Sequence, residues 1–328
     1  MKTNRITKAI STPGTFSIVI LLGLLVLLFG TYFSYETMPN AKFSSYLFQQ
    51  ITGSLAQLDV FFLGFSVLDL INIVAVGGFV FLLFRCNEHH SFIRVRTVMP
   101  CLLFVFLLIT SQVPLMFCSG LWGTFFLLLA LWRLMSAYQE KNPAQKVFDI
   151  FFLLAAGSFF SFELLFLVPV FWLSFPFFRI TGFRTFMASV IGLVTPYILF
   201  TVVLALLGVL PEWLISAKQQ FEFPISSISP RLIMYLIFLF LFFLFSVFGF
   251  LWQMNNDKIR IKQSYFFFFL LTISLFVIAV VRIQVFPLLA LMFSITAGHY
   301  FTLNESRISF FWFIVFVLGG VAFFVLNR

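Results

Sequence analysis

The chain has 328 residues, 62% of them hydrophobic and 9% charged, with a formal net charge of +9. Water-soluble domains are about 45–50% apolar and about 25% charged, so this composition cannot cover a surface that faces water; lipid must solvate most of the side chains. The cationic excess sits in short gaps between apolar runs, which fits a membrane protein oriented by its cytoplasmic charges and excludes a nucleic-acid-binding patch.

Lys2, Arg5 and Lys8 precede a first apolar run at 15–35. It has the roughly 20 residues a span needs and no small-residue cleavage site after it, so it reads as an uncleaved first helix rather than a leader. Further runs follow at 60–84, 97–115, 117–135, 147–161, 163–178, 185–210, 231–254, 264–282, 285–301 and 308–326. The predicted fold is all-α: one polytopic transmembrane helix bundle of about eleven spans over 1–328, with its amino terminus cytoplasmic and no soluble domain. Alternating from that terminus leaves only Lys42, Lys218, Arg231, Arg282 and Arg328 outside, so fifteen of the 20 Lys and Arg fall inside, as the positive-inside rule requires.

The stretch 147–178 tests the count. As one helix it would be about 48 Å long, far more than a bilayer of about 30 Å needs. Its one polar cluster, Ser158–Glu163, is therefore expected to break it into a hairpin. The 54 Phe read as lipid-facing and interhelical filler. Gly77-Gly78 and Gly319-Gly320 suit close helix contacts. The segments 136–146 and 253–264 read as plain cytoplasmic loops.

Two outer connections are long, 36–59 and 211–230; those near Pro114, Glu163 and Gln284 are tight. In the first, Phe43, Leu47, Ile51, Leu55 and Leu58 recur at helical spacing, as in a helix lying in the membrane interface. Trp213 opens the second, a residue type that anchors at headgroup level.

Candidate chemistry follows from the charges. Glu36 and Asp59 flank the first outer loop and are the candidate catalytic carboxylates, able to act as general base. Lys218, Arg231 and Arg282 share that face and are candidate phosphate ligands. Arg282 ends a span on the side the positive-inside rule disfavours, which an interior partner or outer-leaflet phosphates would explain. Asp69, near the middle of the 60–84 span with Asn72 one turn away, and Glu163 are the intramembrane polar candidates, and intramembrane carboxylates are functional candidates by default. Cys86, Cys101 and Cys118 lack ligand spacing, and adjacent His89 and His90 make a poor chelate; with His299 they read as structural or solvated, and no metal site or cofactor is expected. No nucleotide-binding or zinc-protease motif occurs.

Asn142-Pro143-Ala144-Gln145-Lys146-Val147-Phe148-Asp149, Phe183-Arg184, Ile191-Gly192, Thr195-Pro196-Tyr197 and Ala297-Gly298-His299-Tyr300-Phe301 resemble an uncharacterised polytopic inner-membrane family of Bacteroidetes-group bacteria. That resemblance implies a bacterial inner-membrane location. The layout also resembles the C-type membrane glycosyltransferases that use polyprenyl-phosphate sugars. That second resemblance implies a catalytic acid just past the first span, where Glu36 stands, with Asp59 as a second candidate, and a polyprenyl-phosphate-linked sugar as partner. The first loop here is shorter than theirs, and no paired-acid motif or soluble outer domain is present. The expected function is thus a cell-envelope membrane protein handling a lipid-linked sugar. The alternatives are an assembly scaffold, or a transporter with Asp69 in its ion path.

Overall fold

The computed structural model describes residues 15–33, 61–62, 65–90, 93, 95–111, 119–206, 230–253, 259–304 and 307–326. These form eleven α-helices: α1 Thr15–Phe33, α2 Val67–His90, α3 Met99–Ser111, α4 Ser119–Ser136, α5 Ala144–Ser158, α6 Val168–Phe178, α7 Phe183–Leu206, α8 Pro230–Gln253, α9 Ile259–Val281, α10 Phe286–Leu303 and α11 Arg307–Leu326. Two 3-10 segments, Phe162–Leu167 and Ile283–Val285, lead into α6 and α10. Among the described residues the only sheet is a two-residue antiparallel pair, β1 Phe61–Phe62 with β2 Phe65–Ser66. Helix is the expected outcome for a chain this apolar, because it satisfies every interior backbone N–H and C=O within the segment. Five of the helices, α7 to α11, are long and apolar enough to cross a membrane, and they mark the chain as a membrane protein.

Successive helices run back and forth between two ends of the bundle. At one end, the Arg260 guanidinium at the start of α9 donates to the Met135 carbonyl near the end of α4, at 2.9 Å. It also lies over the Tyr138 ring, 5.5 Å from its centroid. The Gln139 N–H donates to the carbonyl of Phe178, the last residue of α6, at 3.3 Å. Phe250 near the end of α8 packs on Tyr265 and His299, 4.9 and 5.6 Å between centroids. At the other end, Thr110 of α3 hydrogen-bonds Tyr235 of α8 at 2.6 Å, Ser158 of α5 hydrogen-bonds Tyr197 of α7, and Gly120 of α4 faces the Gln284 carbonyl. Arg85, Arg96, Arg133, Lys146, Arg179, Arg184, Arg260 and Lys262 all belong to the first, cationic end. There Arg133 pairs with Asp149 at 3.5 Å and Lys146 with Glu140.

The expected hairpin is present. Phe151 in α5 packs on Phe171, Trp172 and Phe175 of α6, which requires the chain to reverse between them. The reversal occupies Phe159–Ser161, and Ser161 is extended, at φ −133° and ψ 98°. The core of the bundle is α10, in which every residue from Phe286 to Phe301 is buried. It packs against α3, α9, α8 and α4. Phe rings fill the spaces around it: Phe316 alone contacts Phe106, Phe238, Phe242, Phe293 and Phe301. Large apolar side chains stay exposed on α1, α7, α8 and α11, the faces that lipid would cover.

Three expectations need correction. Asp69 is not near the middle of a span: α2 begins at Val67, after the β1–β2 pair, so Asp69 falls in the first turn of its helix. The 253–264 segment is not all loop, because α9 starts at Ile259 and takes Arg260 and Lys262 into its first turn. The glycine pairs differ from each other. No described atom lies within 4 Å of a Cβ built on Gly77 or Gly78, whereas on Gly319 and Gly320 it would meet the rings of Phe238 and Phe106 at 2.4 and 2.6 Å. Glu36, Asp59 and Lys218, with most of both long loops, lie outside the described residues.

Candidate functional site: a buried ion pair where two helix breaks meet

Two helix connections at the end opposite the cationic one lie wholly within the described residues, Phe159–Leu167 and Arg282–Val285. Each break contributes one charged residue, and the two meet. Arg282 Nη1 lies 3.3 Å from Glu163 Oε1, and the side chains are only 12% and 3% exposed. The second carboxylate oxygen, Oε2, accepts the Ser161 hydroxyl at 2.7 Å. The guanidinium also sits over the Phe162 ring, 5.8 Å from its centroid. Within a few ångströms are thus a salt bridge, a hydroxyl hydrogen bond to the carboxylate, and a cation–π contact.

Local sequence makes this possible. Ser161 leaves helical geometry, so the next residues can restart as a 3-10 turn that directs Glu163 inward. Arg282 is the first residue beyond α9; its own N–H still reaches the Ile278 carbonyl at 2.8 Å. The start of α4 fits between the two breaks because it presents glycines there. A Cβ on Gly120 would stand 2.3 Å from the Gln284 carbonyl, and one on Gly123 would stand 2.5 Å from Ser161 Cβ. Only the missing side chain allows so close an approach. Glycine 157 supports the same contact from α5: a Cβ there would meet Leu164 Cδ1 at 2.5 Å.

Of the residues singled out from the sequence, Glu163 and Arg282 come together, 119 positions apart. Of the two explanations expected for Arg282, an interior partner or outer-leaflet phosphates, the structure supplies the first in Glu163. Arg231 lies in the first turn of α8 at this same end and is exposed. Asp69 stands in the first turn of α2. Cys86 and Cys101 are buried free thiols, and Cys101 Sγ donates to the Val80 carbonyl at 3.6 Å. His299 is buried among α8, α9 and α10, its ring 4.1 Å from that of Tyr265. Among the described residues no group of three His, Cys, Asp or Glu could hold a metal ion.

Sequence reasoning missed Ser161 as the second partner of Glu163, although it lay within the polar cluster. It also missed Asn87. That side chain is 4% exposed; its Oδ1 accepts the Ile93 N–H at 2.9 Å and its Nδ2 donates to the Thr97 carbonyl at 3.0 Å. The available signal was weak, because Asn87 stands in the polar end of α2 among Arg85, Glu88, His89 and His90. No protein-family model, curated protein or solved structure matches the chain.

Proposed function

We propose that this chain is a multi-span protein of the bacterial inner membrane, with its cationic end and amino terminus in the cytosol. On this reading the opposite end engages a lipid-linked sugar phosphate from outside, in the manner of a C-type glycosyltransferase. The observation that carries the proposal is the common address of the polar candidates. The Glu163–Arg282 pair, the exposed Arg231 and the helix ends bordering both long loops (the start of α2, the end of α7 and the start of α8) all stand at one end of the bundle. The eight described cations named above stand at the other. A phosphate at that outer end would meet the exposed Arg231 first; Lys218, outside the described residues, would be a second cation and Arg282 a third where it gives up Glu163, and Glu36 or Asp59 would supply the base. A positioned general base contributes about 10²–10⁴-fold in rate. Glu36→Ala and Asp59→Ala, together, are therefore expected to lower turnover of a polyprenyl-phosphate-linked sugar by at least ~100-fold at unchanged protein level. Wild-type turnover in that double variant would remove the reading.

A second reading, an assembly scaffold, is favoured by one specific feature: Glu163 and Arg282 use their charges on each other. It predicts that changes at Glu36, Asp59 and Arg231 are tolerated while bulk at Gly120 and Gly123 is not. A growth assay under envelope stress separates the two readings.

A further inference from the structure

A second polar site, unrelated to the outer face, lies at the cationic end between α2 and α4. Glu88, on the last turn of α2, holds two guanidiniums, one on each carboxylate oxygen: Arg85 Nη1 to Oε2 and Arg96 Nη1 to Oε1, both at 3.6 Å. One carboxylate between two guanidiniums leaves one net positive charge. The guanidiniums remain open to a further ligand, their side chains being 59% and 76% exposed. Their placement is preformed. Arg96 lies between Ile93 and Thr97, the two backbone anchors that the buried Asn87 fixes, so it is held opposite α2 rather than free on a loop. Below the charges the surface turns apolar within one helical turn. Phe81 carries the Arg85 guanidinium over its ring at 5.5 Å and is itself exposed. Trp132 of α4 closes the far wall, its ring 6.1 Å from that of His89. Together these residues line a groove of about 550 Å³.

Cations above and aromatic and aliphatic walls one turn below form the profile of an anionic amphiphile, with its phosphate at the guanidiniums and its acyl chain along Phe81, Leu82 and Trp132. We propose that this groove is a binding site for an anionic phospholipid. A soluble phosphate would use the arginines but leave the apolar wall against water, so the lipid form is the better fit. The proposal rests on the bilayer placement of the bundle and not on the catalytic reading of its other end.

The test uses the full chain in nanodiscs, with acyl-brominated lipids quenching Trp fluorescence, and takes the Trp132 contribution as wild type minus Trp132→Phe. Brominated phosphatidylglycerol is expected to quench Trp132 at lower mole fraction than brominated phosphatidylcholine does. Each guanidinium near an anionic surface is worth about fivefold in affinity, so the Arg85→Gln/Arg96→Gln variant is expected to shift the midpoint by roughly 25-fold and abolish the preference. Glu88→Gln, which frees both guanidiniums, is expected to shift it the other way; this arm stands if the double variant fails to fold. Equal quenching by the two lipids, or no tightening in Glu88→Gln, would overturn the site. Competition by millimolar glycerol phosphate would overturn the lipid assignment in favour of a soluble phosphate. Absence of quenching by either lipid at any tryptophan would instead refute the bilayer placement.

Discussion

Breaking the Glu163–Arg282 pair from one side should destabilise the bundle severely, and breaking it from both sides should not. At 3.3 Å and an effective dielectric of about 20, the two charges attract by about 5 kcal/mol. Much of that offsets the cost of taking both ions out of water. Removing one partner leaves the other buried and uncompensated, at a typical loss of about 3–5 kcal/mol. Glu163→Met and Arg282→Met should each lose stability in that range. Replacing both with apolar residues of similar volume is often neutral, so Glu163→Met/Arg282→Met should fall within about 2 kcal/mol of wild type, a coupling of at least ~4 kcal/mol. Ser161→Ala should lose about 1.5–3 kcal/mol, the value of a hydrogen bond to a charged group. The assay is reversible unfolding of the detergent-solubilised chain, followed by far-UV circular dichroism as denaturing detergent replaces mild detergent. Single variants within 1 kcal/mol of wild type, or costs that simply add in the double variant, would refute a buried pair that ties the two helix breaks together.

The remaining predictions concern packing and loop order. Gly192→Val and Gly123→Val place a Cβ about 2.5 Å from the Phe148 carbonyl oxygen and from Ser161 Cβ, respectively; each should destabilise by about 1–3 kcal/mol in the same assay. Gly78→Ala, with no described atom within 4 Å of the new methyl, should be neutral or slightly stabilising. Asn87→Ala removes two buried hydrogen bonds at about 1 kcal/mol each, and the Ile93 amide should exchange with deuterium at least ~10-fold faster.

The sequence was informative where composition and length act directly. Ten of the expected runs begin within about five residues of an observed helix, because an apolar stretch that must satisfy its backbone in lipid has one economical conformation. The break at Ser158–Glu163 was legible for the complementary reason: the 32-residue stretch 147–178 is too long for one span, and it holds only one polar cluster that could turn. The anomaly of Arg282 was legible as well, as a cation at the wrong end of a span. Its partner was not, since no local pattern links positions 119 residues apart. Asp69 was misplaced because the apolar run continues through Phe61, Phe62 and Phe65 without revealing that these residues form a short strand pair and not helix. The central position of α10 was signalled only faintly. It is the least apolar of the five long helices, carrying Ser294, Thr296 and His299, all of which end up buried. Polar residues in an apolar helix mark the side that faces protein. The difference between the two glycine pairs came from tertiary neighbours that the sequence does not order.

The central claim is that the cationic end faces the cytosol and the Glu163–Arg282 end faces away from it. Single cysteines at two exposed positions, Lys141→Cys at the first end and Arg231→Cys at the second, test it in a background with Cys86, Cys101 and Cys118 changed to Ser. A membrane-impermeant maleimide applied to spheroplasts should label Arg231→Cys at once and Lys141→Cys only after permeabilisation. Labelling of Lys141→Cys in intact spheroplasts, with Arg231→Cys protected, would contradict the account.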